Sequence, residues 1–386
     1  MTVEANQSNA LKELYHAVTA VWRLGRNMVV GWSYTGSTVY LCVVPTYKAF
    51  EIGEEISHTF SSSRLLDEEA FLDLCKGFAA RATRIELQVP IGSGPGKIAP
   101  KTIDRVLRRY SVTQTPYRGV MLFDIVGFSK ASPIEQVAQL NSLEYSINSA
   151  DKRLQTLGLD VELARSTVGD GFYVWNRRRS IEADLRTYLA LVFILIDNKR
   201  AQMKGGTRFV PTLRAVFGIG SHYSYHQVEG QAPRGFEYIV GDVTISTARL
   251  IGKCESHQIL LGNFRRPVDR MSKILLDGPL FLARAAAEFG TLNGLEFGGA
   301  PVTAMRSYIT GTDLSTGGHS VTQYTITDKH GFKHHAFNLV IDVTFEDDET
   351  LSIGLDTDAS GDFDAEATPY RLNVRDLAKV RDVFRA

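Results

Sequence analysis

The sequence predicts an α+β fold of ferredoxin-like, palm type at residues 97–265, between an N-terminal α/β region at 1–96 and a mostly β region at 266–386. Three observations predict it. Elements from Tyr117 onward follow one another as β-α-β-β-α-β, the order of that plan. Two apolar strands meet an aspartate beside a glycine: Asp124 in Phe123-Asp124-Ile125-Val126-Gly127-Phe128-Ser129, and Asp170 in Val168-Gly169-Asp170-Gly171-Phe172. The breaker cluster Ile91-Gly92-Ser93-Gly94-Pro95-Gly96 separates all of this from what precedes it.

Leu11 to Arg26 sets Leu11, Leu14, Tyr15, Val18, Val21 and Trp22 at the three-and-four spacing of an amphipathic helix. Thr38 to Pro45 reads as a strand, Asp67 to Arg84 as a second helix and Ile98 to Tyr110 as a short helix leading into the core segment. Gly119 to Ile125 is a buried strand. Ser132-Pro133-Ile134-Glu135 then offers an N-cap, a proline at the first helical position and a capping-box glutamate, and apolar residues carry that helix to Gly158. Val161 to Val168 and Phe172 to Trp175 form a hairpin turning at Gly169-Asp170-Gly171. A helix from about Ile181 to Lys199, a strand from Thr212 to Ser221, a loop and helix over Tyr238 to Ile251 and a strand from Gln258 to Leu261 complete the series. In this plan the end of the first strand adjoins the tip of the central hairpin, so Asp124 and Asp170 are expected to meet.

Composition narrows the function classes. The chain has 386 residues, 44% apolar and 22% charged, which suits two or three globular domains. Lys plus Arg (43) equals Asp plus Glu (43), so the basic excess of an extended nucleic-acid binder is missing. Cys42, Cys75 and Cys254 are far apart and form no CxxC, which argues against a disulfide framework and a structural zinc. The first ten residues lack the pattern of a signal peptide, and the apolar run Leu189 to Ile196 is far short of a bilayer span. A cytoplasmic protein with no nucleic-acid or membrane partner is expected. Asp356-Thr357-Asp358 opens like a calcium loop, but Ala367 stands where its bidentate glutamate belongs, so the segment reads as an acidic turn.

Carboxylates at glycine-flanked strand ends are what a pair of divalent cations on a nucleotide triphosphate requires, because the glycine lets the backbone approach phosphate. Phe123 to Ser129, Val168-Gly169-Asp170, Leu213-Arg214-Ala215-Val216-Phe217-Gly218-Ile219-Gly220, Tyr238-Ile239-Val240-Gly241-Asp242 and Thr247-Ala248-Arg249-Leu250 occur in that order. Together they resemble the catalytic domain of class III nucleotidyl cyclases, from about Tyr117 to Gly262. The resemblance implies that Asp124 and Asp170 bridge two divalent cations, Mn²⁺ or Mg²⁺, with the carbonyl of Ile125 as a further ligand. It implies that Arg249 stabilises the transition state and that the N–H groups of Val126, Gly127, Phe128 and Ser129 hold phosphate. Sites of this family lie between two catalytic domains; one copy of each motif per chain therefore implies a homodimer.

Three positions depart from the purine enzymes of that family. Ser166 and Tyr238 stand where adenylate enzymes have a lysine and an aspartate and guanylate enzymes a glutamate and a cysteine; Ile245 replaces the family's asparagine. A larger Tyr238 narrows the base pocket, and Arg165 and Tyr117 are further candidates for its wall. With the segment from Asp328 to Asn338, these replacements resemble the bacterial pyrimidine cyclases of the Pycsar antiphage system, whose cyclic UMP or cyclic CMP acts on a separate effector protein. Because an arginine donates and never accepts, Arg165 favours the O4 carbonyl of uracil, so UTP is expected ahead of CTP. The alternatives are an adenylate or guanylate cyclase with a rewired base pocket, and an inactive cyclase fold that binds a nucleotide as a sensor.

Overall fold

The computed structural model describes residues 3–372, apart from 24, 57–58, 61–62, 160, 229–234, 269–273, 290–291, 293–294, 312–319 and 356–364. The chain divides into two compact units, Met1–Thr115 with His222–Val240, and Pro116–Ser221 with Gly241–Ala386.

The first unit contains α1 (Val3–Val21), β1 (Asn27–Thr35), β2 (Thr38–Pro45), α2 (Thr46–Ile52), α3 (Glu68–Gly77), β3 (Ala82–Glu86) and α4 (Pro100–Leu107). The strands form an antiparallel sheet in the order β1-β2-β3. Alternation along the strands gives it two apolar faces. Val29, Trp32, Val39 and Leu41 pack with Leu14 and Val18 of α1 and Ile103 and Leu107 of α4, while Met28, Val30, Cys42 and Val44 pack with Phe71 and Leu74 of α3. The helix expected over Asp67 to Arg84 stops at Gly77: Ala79 takes a positive φ of 47° and the chain returns as β3. β1 was not expected, because burial on both faces removes the polar alternation that marks a strand in sequence.

In the second unit the expected order holds. β4 (Thr113–Ile125), α5 (Pro133–Thr156), β5 (Leu163–Thr167), β6 (Gly171–Asn176), α6 (Ile181–Gly205) and β7 (Leu213–Val228) follow one another, and the strands lie in the order β7-β4-β6-β5. This is the ferredoxin-like arrangement, with the first and third strands in the centre. β8 (Gly235–Val240) pairs with the far half of β7 within the first unit. α7 (Asp242–Ile251) then leads to β9 (Ile259–Gly262), which runs parallel to β7.

The C-terminal region comprises β10 (Arg266–Pro267), β11 (Leu275–Leu276), α8 (Gly278–Phe289), β12 (Glu296–Phe297), β13 (Ala300–Ile309), β14 (Ser320–Thr327), β15 (Lys333–Phe345), β16 (Thr350–Gly354) and β17 (Glu366–Arg371). It is mostly β as expected, but it does not form a unit of its own. β15 pairs with β9, and Phe337, Leu339 and Ile341 share one core with α6, so the segments on either side of residue 265 lie in one compact unit. Similarly, the first unit continues past the glycine cluster to Thr115.

The core sheet has two differently covered faces. Met121, Phe123, Ile125, Phe172, Val174, Ala215 and Phe217 pack under α5 and α6. Leu122, Tyr173, Val216 and Leu260 pack with Leu250, Ile251 and Cys254 of α7 and the residues just beyond it. The capping box at α5 is formed, with the Ser132 amide donating to Glu135 Oε2 at 2.9 Å. Among the described residues no helix is long and apolar enough to cross a membrane.

Candidate active site

Asp124 is the penultimate residue of β4, on the α7 side of the sheet between Phe123 and Ile125, which both point under α5 and α6. It sits opposite Gly171 across the β4–β6 pairing. A Cβ at Gly171 would come within 1.9 Å of the Phe123 carbonyl oxygen, so only glycine lets the two strands close at this point. The Ile125 amide donates to the Asp170 carbonyl at 2.9 Å, which ties the tip of the hairpin to the end of β4. The expected meeting of the two aspartates is therefore a consequence of backbone pairing.

Their electrostatics follow. Burial pushes the Asp124 carboxyl up, a hydrogen bond from Arg214 pulls it down, and the nearby Asp170 charge pushes it up again, with a raised net result. Arg214 Nε donates to Asp124 Oδ2 at 2.6 Å, and its Nη1 donates to the Cys254 carbonyl at 2.9 Å. The sequence reading assigned no role to Arg214. Its signal was available, since the alternation that puts Ala215 under the helices puts Arg214 on the face of Asp124.

Among the described residues no three His, Cys, Asp or Glu side chains converge, so the acidic pair would need other oxygens to complete a metal site. The donor set nevertheless fits a hard divalent cation. Two carboxylates and a neighbouring carbonyl are all oxygen donors, and a cation between the pair would relieve the Asp170 repulsion that adds to the effect of burial on Asp124.

The turn after β4 supplies part of the expected phosphate cradle. Gly127 adopts φ 71°, the left-handed conformation that starts the short 3₁₀ turn Phe128–Lys130. The Val126 amide is already engaged, donating to the Thr212 carbonyl at 2.9 Å, which removes it from the expected set. The amides of Gly127, Phe128 and Ser129 have no hydrogen-bond partner among the described residues.

Arg249 lies in the last turn of α7, one turn on from the exposed Ile245. Its side chain is 40% exposed, and Nε is 3.4 Å from Oδ2 of Asp328, in the turn between β14 and β15. Asp328 Oδ1 accepts the amides of His330 at 2.8 Å and Phe332 at 3.0 Å, and Oδ2 is 3.5 Å from His334 Nε2. Burial raises the Asp328 carboxyl, but those amides, His334 and Arg249 outweigh it and hold it below its ordinary value.

The expected base-reading residues separate. Arg165 and Ser166 are neighbours on β5 and so face opposite ways. Arg165 bonds to Glu144 and to Asn148 of α5, on the helix side, whereas Ser166 pairs with Tyr173 on the α7 side. Tyr117 has the Arg266 guanidinium 5.3 Å from its ring centre, and Arg266 is bound to Asp184 of α6. Arg165 and Tyr117 thus lie on the helix side of the sheet, away from the face of Asp124. Tyr238 belongs to β8 in the first unit, where its ring stacks on Tyr225 at 5.4 Å and 20°. The acidic turn at 356–361 lies outside the described residues.

No protein-family model matches the chain, and no curated protein matches it in sequence. Among solved structures it is similar to the guanylyl cyclase Cya2 at 14% identity, over 58% of this chain and 92% of that one, with a TM-score of 0.37. The guanylate cyclase domain of RhGC from Catenaria anguillulae in complex with GTP is similar at 15% identity, over 60% and 98%, with a TM-score of 0.34. The adenylyl cyclase CyaB from P. aeruginosa is similar at 13% identity, over 60% and 96%, with a TM-score of 0.33. At these identities and TM-scores the likeness carries no argument about activity or substrate.

Proposed function

We propose that this protein is a nucleotidyl cyclase that converts a pyrimidine triphosphate to its 3′,5′-cyclic monophosphate and pyrophosphate. The observation that carries the reading is the juxtaposition of Asp124 and Asp170 at one end of the sheet, on a donor set suited to divalent cations. Two bound cations would lower the barrier by activating the ribose 3′-hydroxyl and neutralising the leaving pyrophosphate oxygens. Asp124 and Asp170 stand side by side where the strands end, and Arg214 orients Asp124 through a 2.6 Å hydrogen bond. The free amides from Gly127 to Ser129 donate to phosphate oxygens. Arg249 meets the negative charge that grows on the α-phosphate.

Support for a pyrimidine comes from Ser166 on the α7 face and from Tyr238, which replace the ion-pairing and acidic groups a purine edge calls for. With Arg165 committed to α5, the lean towards UTP loses its residue, and UTP and CTP stand level. As in the enzymes it resembles, the active form would be a homodimer that shares its sites across a two-fold axis, and the product would be a messenger in antiviral defence.

Incubating the protein with UTP, CTP, ATP and GTP, each with Mn²⁺ or Mg²⁺, and resolving products by mass tests the reading. Cyclic UMP or cyclic CMP with stoichiometric pyrophosphate is expected. Preferred turnover of ATP or GTP overturns the pyrimidine assignment, and tight binding without pyrophosphate release makes the protein a sensor.

A further inference from the structure

We propose that Asp328 is a positioning residue for Arg249, drawing its guanidinium by charge towards one side so that the Nη groups remain for an anionic phosphate. The inference rests on the cyclase reading and deepens it. The contact is one-sided. Arg249 Nε is buried and makes no hydrogen bond, and the ion pair to Asp328 Oδ2 at 3.4 Å is the side chain's one polar contact among the described residues. An arginine whose Nε side faces the carboxylate keeps four N–H donors on its outer edge, the edge that pairs with phosphate.

Asp328 is a rigid anchor. Its side chain is 5% exposed, and Oδ1 is fixed by the amides of His330 and Phe332. The turn that carries it is closed by the Asp328 amide donating to Phe332 at 2.9 Å and by the Gly331 amide donating to Asp328 at 3.0 Å. The hairpin belongs to the same sheet as the catalytic strands through the β15–β9 pairing, so the anchor and α7 are held by one framework. A freely rotating arginine would have to be ordered at each turnover. Fixing it in advance moves that entropic cost into folding. Here the C-terminal region contributes to chemistry through a residue that never touches the substrate.

Asp328→Asn isolates the effect, because the amide oxygen still accepts from His330 and Phe332 while the charge facing Arg249 is lost. Wild type, D328N, R249K and the double variant are compared for kcat, KM and melting temperature. D328N should lower kcat roughly tenfold, since misplacing a catalytic group by a fraction of an ångström costs that order of rate. KM and melting temperature should hold. A lysine ammonium is a point charge with no edge to orient, so in the R249K background D328N should add less than about a twofold loss. An unchanged kcat in D328N, or an equal loss in both backgrounds, overturns the proposal. If wild type turns over no triphosphate, the cyclase reading fails by itself, and Mn²⁺-dependent binding of inorganic tripolyphosphate decides the tether instead. Binding weakened by D328N only when Arg249 is present supports it, and binding insensitive to D328N overturns it.

Discussion

The Ile125 amide donates to the Asp170 carbonyl at 2.9 Å, so the residue after one candidate metal ligand is bonded to the backbone of the other. Placement of the two carboxylates is thus a property of strand pairing, and anything that opens β4 from β6 at this point should disable both together.

Gly171→Ala is the sharpest such change. Its new methyl would lie 1.9 Å from the Phe123 carbonyl oxygen and 3.2 Å from the Asp124 Cα, and no side-chain rotation relieves a clash with backbone. We expect a loss of roughly 2–4 kcal/mol, in the range of overpacked core sites. Urea unfolding at unchanged m-value measures it. A variant as stable as wild type would show that the strands do not close as described.

Asp124→Asn and Asp170→Asn keep side-chain volume and remove charge. Each should abolish the rise in melting temperature that Mn²⁺ gives wild type, and each should lower turnover at least about a hundredfold, because several kcal/mol of metal-assisted stabilisation is lost. Retained Mn²⁺ stabilisation in both variants would remove the acidic pair from the metal site.

A shared site makes its halves separable. Asp124→Ala and Arg249→Ala should each be inactive as homodimers, and mixing them should restore partial activity through the one intact interface of the heterodimer. A dead mixture in which heterodimers demonstrably form would place both residues in the same site of one chain.

Asp184 links three elements from within the core. It is 1% exposed, and it accepts the Gly119 amide at 2.6 Å and Arg266 Nε at 2.9 Å. Asp184→Ala leaves a buried guanidinium and a buried amide without their acceptor, so a loss of about 3–5 kcal/mol is expected. Asp184→Asn keeps an oxygen for Gly119 and should cost less. Equal losses in chemical denaturation would mean that the amide contributes nothing.

Acid stability tests the cap of α5. Arg208 first, then the Ser132 hydroxyl and amide, hold Glu135 down at about 2, from an ordinary 4.5. With the native value depressed, the folded state binds fewer protons there, so the contribution is present above 4.5 and disappears as pH falls towards about 2. Glu135→Gln should flatten that acid limb in urea titrations across this range. A limb of unchanged slope would show that Glu135 is not held as described.

Local signals made the core legible. Ser132-Pro133-Ile134-Glu135 marked the first residue of α5, and glycine-flanked Asp170 marked the hairpin tip, because caps and turns are written in neighbouring residues. The N-terminal unit was less legible. β1 is buried on both faces and shows no alternation, and the helix read through to Arg84 gave way to β3, whose pairing with β2 is not a local property.

The sequence by itself determined the order of the elements, the strand-end positions of Asp124 and Asp170, and the opposition of neighbours such as Arg165 and Ser166. Only the tertiary structure decided which of those neighbours turns to α5 and which to α7, that Arg214 reaches Asp124, and that Asp328 comes to rest against Arg249. The reason is physical. A period of two residues separates the faces of a strand, but which layer covers each face depends on how distant segments cross the sheet.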